Sequence, residues 1–182
     1  MRIDSQLSFV PIGGNLSLIG AAGVSIPSTN TLDLLGQGVG TPPANIIGNA
    51  AVFGMDVGIG GNKPLIQVNI GITATTSTSA TLNVAFQAAA DQGISGSYQP
   101  SAWNTLIETG PISVSALTSG AILARFDFPP SFPAGLNPRY LRLLFQVPTG
   151  TSFTAGTISS AVVTLVRDDY SEKFASRNYT VV

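Results

Sequence analysis

Five stretches of the chain alternate apolar and polar residues with a period of two. Leu65 to Ile72 sets Ile66, Val68, Ile70 and Ile72 on one face and Gln67 and Asn69 on the other. Thr81 to Ala88 sets Leu82, Val84, Phe86 and Ala88 opposite Thr81, Asn83 and Gln87. Ile122, Ala124, Phe126 and Phe128 alternate with Arg125 and Asp127. Leu141, Leu143, Phe145 and Val147 alternate with Arg142 and Gln146, and Ala161, Val163 and Leu165 with Ser160, Val162 and Thr164. Successive side chains of a strand point to opposite faces, so each stretch predicts a strand with one face on a core. Gln6 to Val10, Thr31 to Leu35 and Trp103 to Glu108 are weaker strand candidates.

Turn signals punctuate these runs at Pro42-Pro43, Gly60-Gly61-Asn62, Gly110-Pro111, Pro129-Pro130, Asn137-Pro138 and Pro148-Thr149-Gly150. The best helical stretch, Leu32 to Gly36, is too short to count. Seven to nine strands without βαβ alternation predict an all-β antiparallel β-sandwich. With 182 residues in hand, a jelly roll is the leading form, since an immunoglobulin-like sandwich needs only about 100. Residues 1–166 are expected to form that domain, and 167–182 a C-terminal arm.

Composition then removes most chemistry. The chain has neither Cys nor His, which excludes zinc fingers, thiol nucleophiles and Ser-His-Asp triads. Charged residues make up 9% of it, against about 25% in an ordinary soluble domain, and its net charge is −1. No basic surface is available for nucleic acid, and no polybasic patch for a membrane. No apolar run reaches the ~18 residues of a spanning helix, and the first residues resemble no signal peptide, so synthesis in the cytoplasm is expected. An exterior of Ser, Thr, Ala and Gly is weakly hydrated and suits broad contact with a partner.

Candidate sites for catalysis or ions are thin. A retaining glycosidase needs two carboxylates about 5 Å apart, and Glu108 would have to find Asp91 or Asp127. Gly58-Ile59-Gly60-Gly61-Asn62-Lys63 lacks the order of a phosphate loop and precedes no helix. Asp168-Asp169, with Asp127, offers no ladder of calcium ligands. The sequons at Asn15 and Asn178 carry no weight without a secretory signal. No enzyme, cofactor or metal site is expected. Trp103, the single tryptophan, reads as a core or sheet-edge anchor in preference to a ligand platform.

Charge is unevenly spread. Between Pro64 and Ala124 only Asp91 and Glu108 are charged, whereas Arg167, Asp168, Asp169, Glu172, Lys173 and Arg177 crowd together near the end. With Tyr170, Phe174 and Tyr179 interspersed, that last segment reads as an arm suited to a neighbouring subunit.

Three stretches stand out: Met1-Arg2-Ile3-Asp4-Ser5-Gln6-Leu7-Ser8-Phe9, then Ser28-Thr29-Asn30-Thr31-Leu32-Asp33-Leu34-Leu35-Gly36, then Arg139 to Leu143 followed by Gly150 to Thr157. Together they resemble the capsid cement, or decoration, proteins of tailed bacteriophages. The resemblance covers under a quarter of the chain. It implies a jelly-roll structural protein of the virion, homo-oligomeric as dimer or trimer, bound to the outer surface of the head across joints between major capsid protein subunits. It implies no enzyme activity. The chain departs from the pattern between Gly36 and Gly61 and in its charged tail. On this reading the contacts to capsid or neighbouring subunit are expected from Arg2, Ile3, Asp4 and Leu7 at one end and Tyr170, Phe174 and Tyr179 at the other. The alternative on the same sandwich is a carbohydrate-binding module, lectin-like or part of a tail fibre.

Overall fold

The computed structural model describes residues 2–20, 23–34, 46–47, 65–94, 99–128 and 132–165, with backbone alone for 2–7, 46–47 and 165. The expected arm and the Gly58 to Lys63 loop lie outside the described residues. In chain order the first strands are β1 (Arg2–Val10), β2 (Leu16–Ser17), β3 (Ser25–Pro27), β4 (Thr31–Asp33) and β5 (Ile46–Ile47). Next come β6 (Leu65–Ile70), β7 (Thr75–Thr76), β8 (Thr81–Ala89), β9 (Asn104–Glu108) and β10 (Ile112–Ser113). A turn of 3-10 helix, Val114–Ala116, precedes β11 (Ile122–Asp127), β12 (Tyr140–Gln146), β13 (Phe153–Ala155) and β14 (Thr157–Leu165).

The first sheet runs β1-β14-β6-β11, with β2 continuing the β1 position against β14. The second runs β10-β8-β12-β4-β5; β3 shares the β4 position on β12, and β9 the β10 position on β8. All main pairings are antiparallel; the short β4–β5 contact is parallel. Taking β3 with β4 as one strand and β9 with β10 as another leaves eight principal strands in chain order. The sheets then read 1-8-3-6 and 2-7-4-5. That is the winding of a jelly roll, two Greek keys folded over one core.

The core is the inner face of both sheets, filled by the residues the alternation places there. Leu82, Val84, Phe86 and Ala88 of β8 and Leu141, Leu143 and Phe145 of β12 meet Ile66, Val68 and Ile70 of β6 and Ala161 and Val163 of β14. Phe86 of the second sheet engages two rings of the first. Its centroid lies 5.7 Å from Phe9, edge-on, and 6.2 Å from Phe126, stacked. Such pairs add about 0.5–1.5 kcal/mol each to the area they bury, and here they clamp one sheet to the other.

Two strand faces differ from the alternation. Ile72 is 57% exposed, because β6 ends at Ile70. There the chain passes so close to β14 that a Cβ on Gly71 would lie 2.7 Å from Thr157 Oγ1, and Ile72 swings outward past the contact. Ile122 is also exposed: the register slips between Ile122 and Ala124, and Leu123 packs against the core in its place. An extra residue in one strand of a pair flips every side chain beyond it.

Candidate functional site

Most described charge is gathered at the end of the sandwich where β8 finishes and β12 begins. Arg139, the residue before β12, donates from Nε to Asp33 Oδ1 and from Nη2 to Asp33 Oδ2, both at 2.9 Å. Its Nη1 donates to Asp91 Oδ2 at 2.9 Å, and Tyr140 Oη donates to the same oxygen at 2.8 Å. The backbone fixes these positions, since Asp33 lies opposite Tyr140 in the β4–β12 register and Arg139 N–H donates to Ala89 O. Arg139 and Asp33 are buried, so the pair is held by fork-to-carboxylate geometry in a dry setting. Hydrogen bonding to Asp33 raises the Arg139 pKa further and keeps the guanidinium charged.

Tyr140 has no exposed surface, and burial, with the bond to Asp91, pushes its pKa above the ordinary tyrosine value. A raised folded pKa means the neutral phenol is favoured by folding. That stabilisation is intact below the unfolded value of about 10 and is lost as pH rises beyond it. In an alkaline absorbance titration of the four tyrosines, Tyr140 is therefore expected to ionise last, together with unfolding. Tyr140→Phe should remove that late phase. Four tyrosines ionising together, with the fold intact, would contradict the burial argument.

Two polar rungs cross the outer face of the second sheet over β12, β8 and β9. In the first, Arg142 Nε donates to Gln87 Oε1 at 2.9 Å and Gln87 Nε2 donates to Thr105 Oγ1 at 3.1 Å. The Arg142 guanidinium lies 4.1 Å over the Trp103 ring, and Trp103 packs on Ala89 and Tyr140. In the second, Asn83 Nδ2 donates to Gln146 Oε1 at 2.8 Å and to Glu108 Oε2 at 2.9 Å. Trp103 thus acts as an anchor on the outer face of the sheet. The carboxylates once weighed as a pair have separate partners, Asp91 with Arg139 and Tyr140, Glu108 with Asn83. Among the described residues no group of three or more acids is placed to hold a metal ion.

The four described connections at the opposite end are free of charge in sequence. Residues 11–24, 71–80, 111–121 and 147–157 contain no Asp, Glu, Lys or Arg. These four connections are laced together: Leu18 N–H donates to Gly156 O, Ala74 N–H to Leu117 O, Gly120 N–H to Ile70 O and Thr76 Oγ1 to Ser152 O. The pair β7–β13 tightens them further, and Thr75 Oγ1 meets Thr154 Oγ1 at 2.8 Å. Gly156 sits at φ +136°, where a Cβ would lie 3.0 Å from Ala74 Cβ. A stiff platform of hydroxyls and small residues results.

Exposed isoleucines stand on this platform around the first residues of β14. Gly13 N–H donates to Ser159 O, which puts Ile12 on the β1 side, and Ile72 O accepts from Thr157 N–H on the β6 side. Ile19 follows Ser17, the register partner of Thr157, and bridges Phe153. Ile12 is 67% exposed and Ile19 57%. Three large aliphatic side chains so exposed, on connections whose sequence carries no charge, are the candidate contact residues of this end.

A family model described as Bbp16 matches residues 21–162, more than three quarters of the chain. The chain belongs to the Bbp16 family. The designation is that of a phage-related family. No curated protein matches the sequence. The Bbp16 match takes in the Arg139 cluster, the Trp103–Arg142 rung and most of the uncharged end, while Ile12 and Ile19 precede it. No helix among the described residues of this Bbp16-family chain is long and apolar enough to cross a membrane.

Of the contact residues expected from sequence, Arg2, Ile3, Asp4 and Leu7 have described backbone only. They form the outer part of β1, with Arg2 opposite Leu165 and Ile3 opposite Thr164. Tyr170, Phe174 and Tyr179 lie outside the described residues. Sequence reading missed Asp33 with Arg139 as a pair. The available signal was an acid inside the apolar run Leu32 to Leu35 of a charge-poor chain, which must find a buried cation. It also missed the isoleucine platform, whose only trace is four connections empty of charge.

Proposed function

We propose that this chain is a structural, non-catalytic component of a phage particle: a capsid cement or decoration protein that binds the outer surface of the head and ties neighbouring major capsid protein subunits together as a homo-oligomer. The observation that carries the reading is the uncharged, braced end of the sandwich with Ile12, Ile19 and Ile72 exposed on it. Membership of a phage-related family and the jelly-roll winding support it. A bridging protein adds, at each joint, binding energy that subunit separation must overcome. Many weak copies joined through oligomers multiply that effect. The carbohydrate-binding alternative draws nothing from Trp103, whose ring is engaged by Arg142, Ala89 and Tyr140.

Co-sedimentation with mature heads from the phage-infected host tests the proposal. Saturable pelleting at a fixed ratio to the major capsid protein is the expected result, and its absence refutes the function. An interface resting on apolar area and hydroxyl hydrogen bonds is little screened. Between roughly 20 and 150 mM salt the apparent affinity should change less than about threefold. A loss of tens of fold would point to a charge-driven contact instead.

A further inference from the structure

Arg139 and Arg142 are three residues apart and differ in one respect. Arg139 spends three nitrogens on the carboxylates of Asp33 and Asp91. Among the described residues Arg142 meets no carboxylate. Its only hydrogen bond runs from Nε to the neutral Gln87 Oε1, and both terminal amino groups are without a partner among the described residues. Burial lowers its pKa. The side chain is nonetheless fixed, flat on Trp103 at 4.1 Å and steered by the Gln87–Thr105 rung. A guanidinium so held has already lost much of the rotamer freedom that a flexible cation gives up on binding. Its two open amino groups, Nη1 and Nη2, present the end-on edge that matches a carboxylate.

We propose that Arg142, seated on Trp103, is a receptor site for a carboxylate supplied by a protein partner. Partial desolvation without a counter-ion costs the free protein stability, and a partner's carboxylate restores the balance. Glu108 is not that group, being held on the other rung by Asn83. Two sources carry the same chemistry: the acidic residues Asp168, Asp169 and Glu172 of a second copy, or an acidic side chain of the capsid shell. The second source rests on the decoration reading, and the first does not.

Trp103 is the only tryptophan, so its emission reports on this site alone. The full-length protein is titrated with an end-capped hexaglutamate peptide, with hexaglutamine as control. A saturable emission change with hexaglutamate alone is expected. Arg142→Met, which keeps the aliphatic stem over the ring, should respond at least about tenfold more weakly, and Arg142→Lys should fall between. No response from the wild-type protein, or an equal one from both variants, overturns the site. If Asp168→Asn/Asp169→Asn/Glu172→Gln shifts the emission of the purified protein and tightens hexaglutamate binding, and the unaltered chain's emission changes on dilution, the second copy is the source. If Arg142→Met instead pellets about tenfold more weakly with heads while the tail variant pellets normally, the shell is. Failure of the unaltered protein and of every variant to pellet refutes the decoration reading and leaves the peptide titration to decide the carboxylate site.

Discussion

Asp33→Ala is expected to destabilise the sandwich by about 3–5 kcal/mol, the cost of leaving a buried cation without its main partner. Arg139 and Asp33 are both buried and joined by two charge-assisted hydrogen bonds. Removing the carboxylate takes away both fork hydrogen bonds, while Asp91, which accepts from a single nitrogen, is partly exposed and cannot replace them. Against a total stability of about 5–15 kcal/mol for a domain, such a loss brings the chain near its unfolding threshold. With a urea m-value of about 2 kcal/mol/M, the midpoint should drop by about 1.5–2.5 M. Asp91→Asn should cost less, about 1–2 kcal/mol, since Asp33 keeps its fork. The double variant Asp33→Leu/Arg139→Met should recover much of the loss, because the penalty lies in the unpaired charge and not in the absent pair. A shift under about 0.5 M for Asp33→Ala would show that water reaches Arg139.

The pair also explains which parts of the fold could be read from the chain. Alternation is a statement about one strand and its faces, so it finds β6, β8, β11, β12 and β14 wherever the strand is regular. It fails where the register slips. Ile122 belongs by period to the face of Ala124, and one extra residue between them turns it to solvent. Ile72 fails for a neighbour's reason, the closeness of Thr157 to Gly71, some 85 residues away in sequence. The strands missed altogether, such as β2, β7, β10 and β13, are two or three residues long and exist through the partner they meet. Asp33 and Arg139 lie 106 positions apart, and only the β4–β12 register joins them. Both belong to stretches that carry the resemblance to cement proteins, so two separate motifs prove to be the two halves of one contact.

The distribution of charge separates stability from contact in this molecule. Arg139, Asp33 and Asp91 are consumed internally, and Glu108 is bound within its own sheet face. At the far end the polar side chains are mostly hydroxyls, several of them bonded between loops, as Thr76 to Ser152 and Ser119 to Gly71. A partner covering that end displaces water from weakly hydrated groups and strips no charge of its solvent. The desolvation cost that limits most polar interfaces is small there. Exposed isoleucine is then the main source of affinity, and an added charge its strongest opponent.

Ile72→Asp and Ile12→Asp are accordingly expected to weaken binding to phage heads by about 2–4 kcal/mol each, roughly 30- to 1000-fold. Each replaces an apolar contact with a carboxylate that the partner would have to bury unpaired. Folding should hardly change: both side chains are more than half exposed in the free protein, and surface substitutions of this kind stay within about 0.5 kcal/mol. Ile94→Asp is the matched control. Ile94 is 54% exposed but follows β8 at the charged end, beyond Asp91, where an acid adds to charge already present. Measured by co-sedimentation across a concentration series, the two platform variants should remain in the supernatant while Ile94→Asp saturates like the unaltered chain. Equal pelleting of all three would remove the uncharged end from the interface. Loss confined to Ile94→Asp would place the docking face at the opposite pole, around the Arg139 cluster.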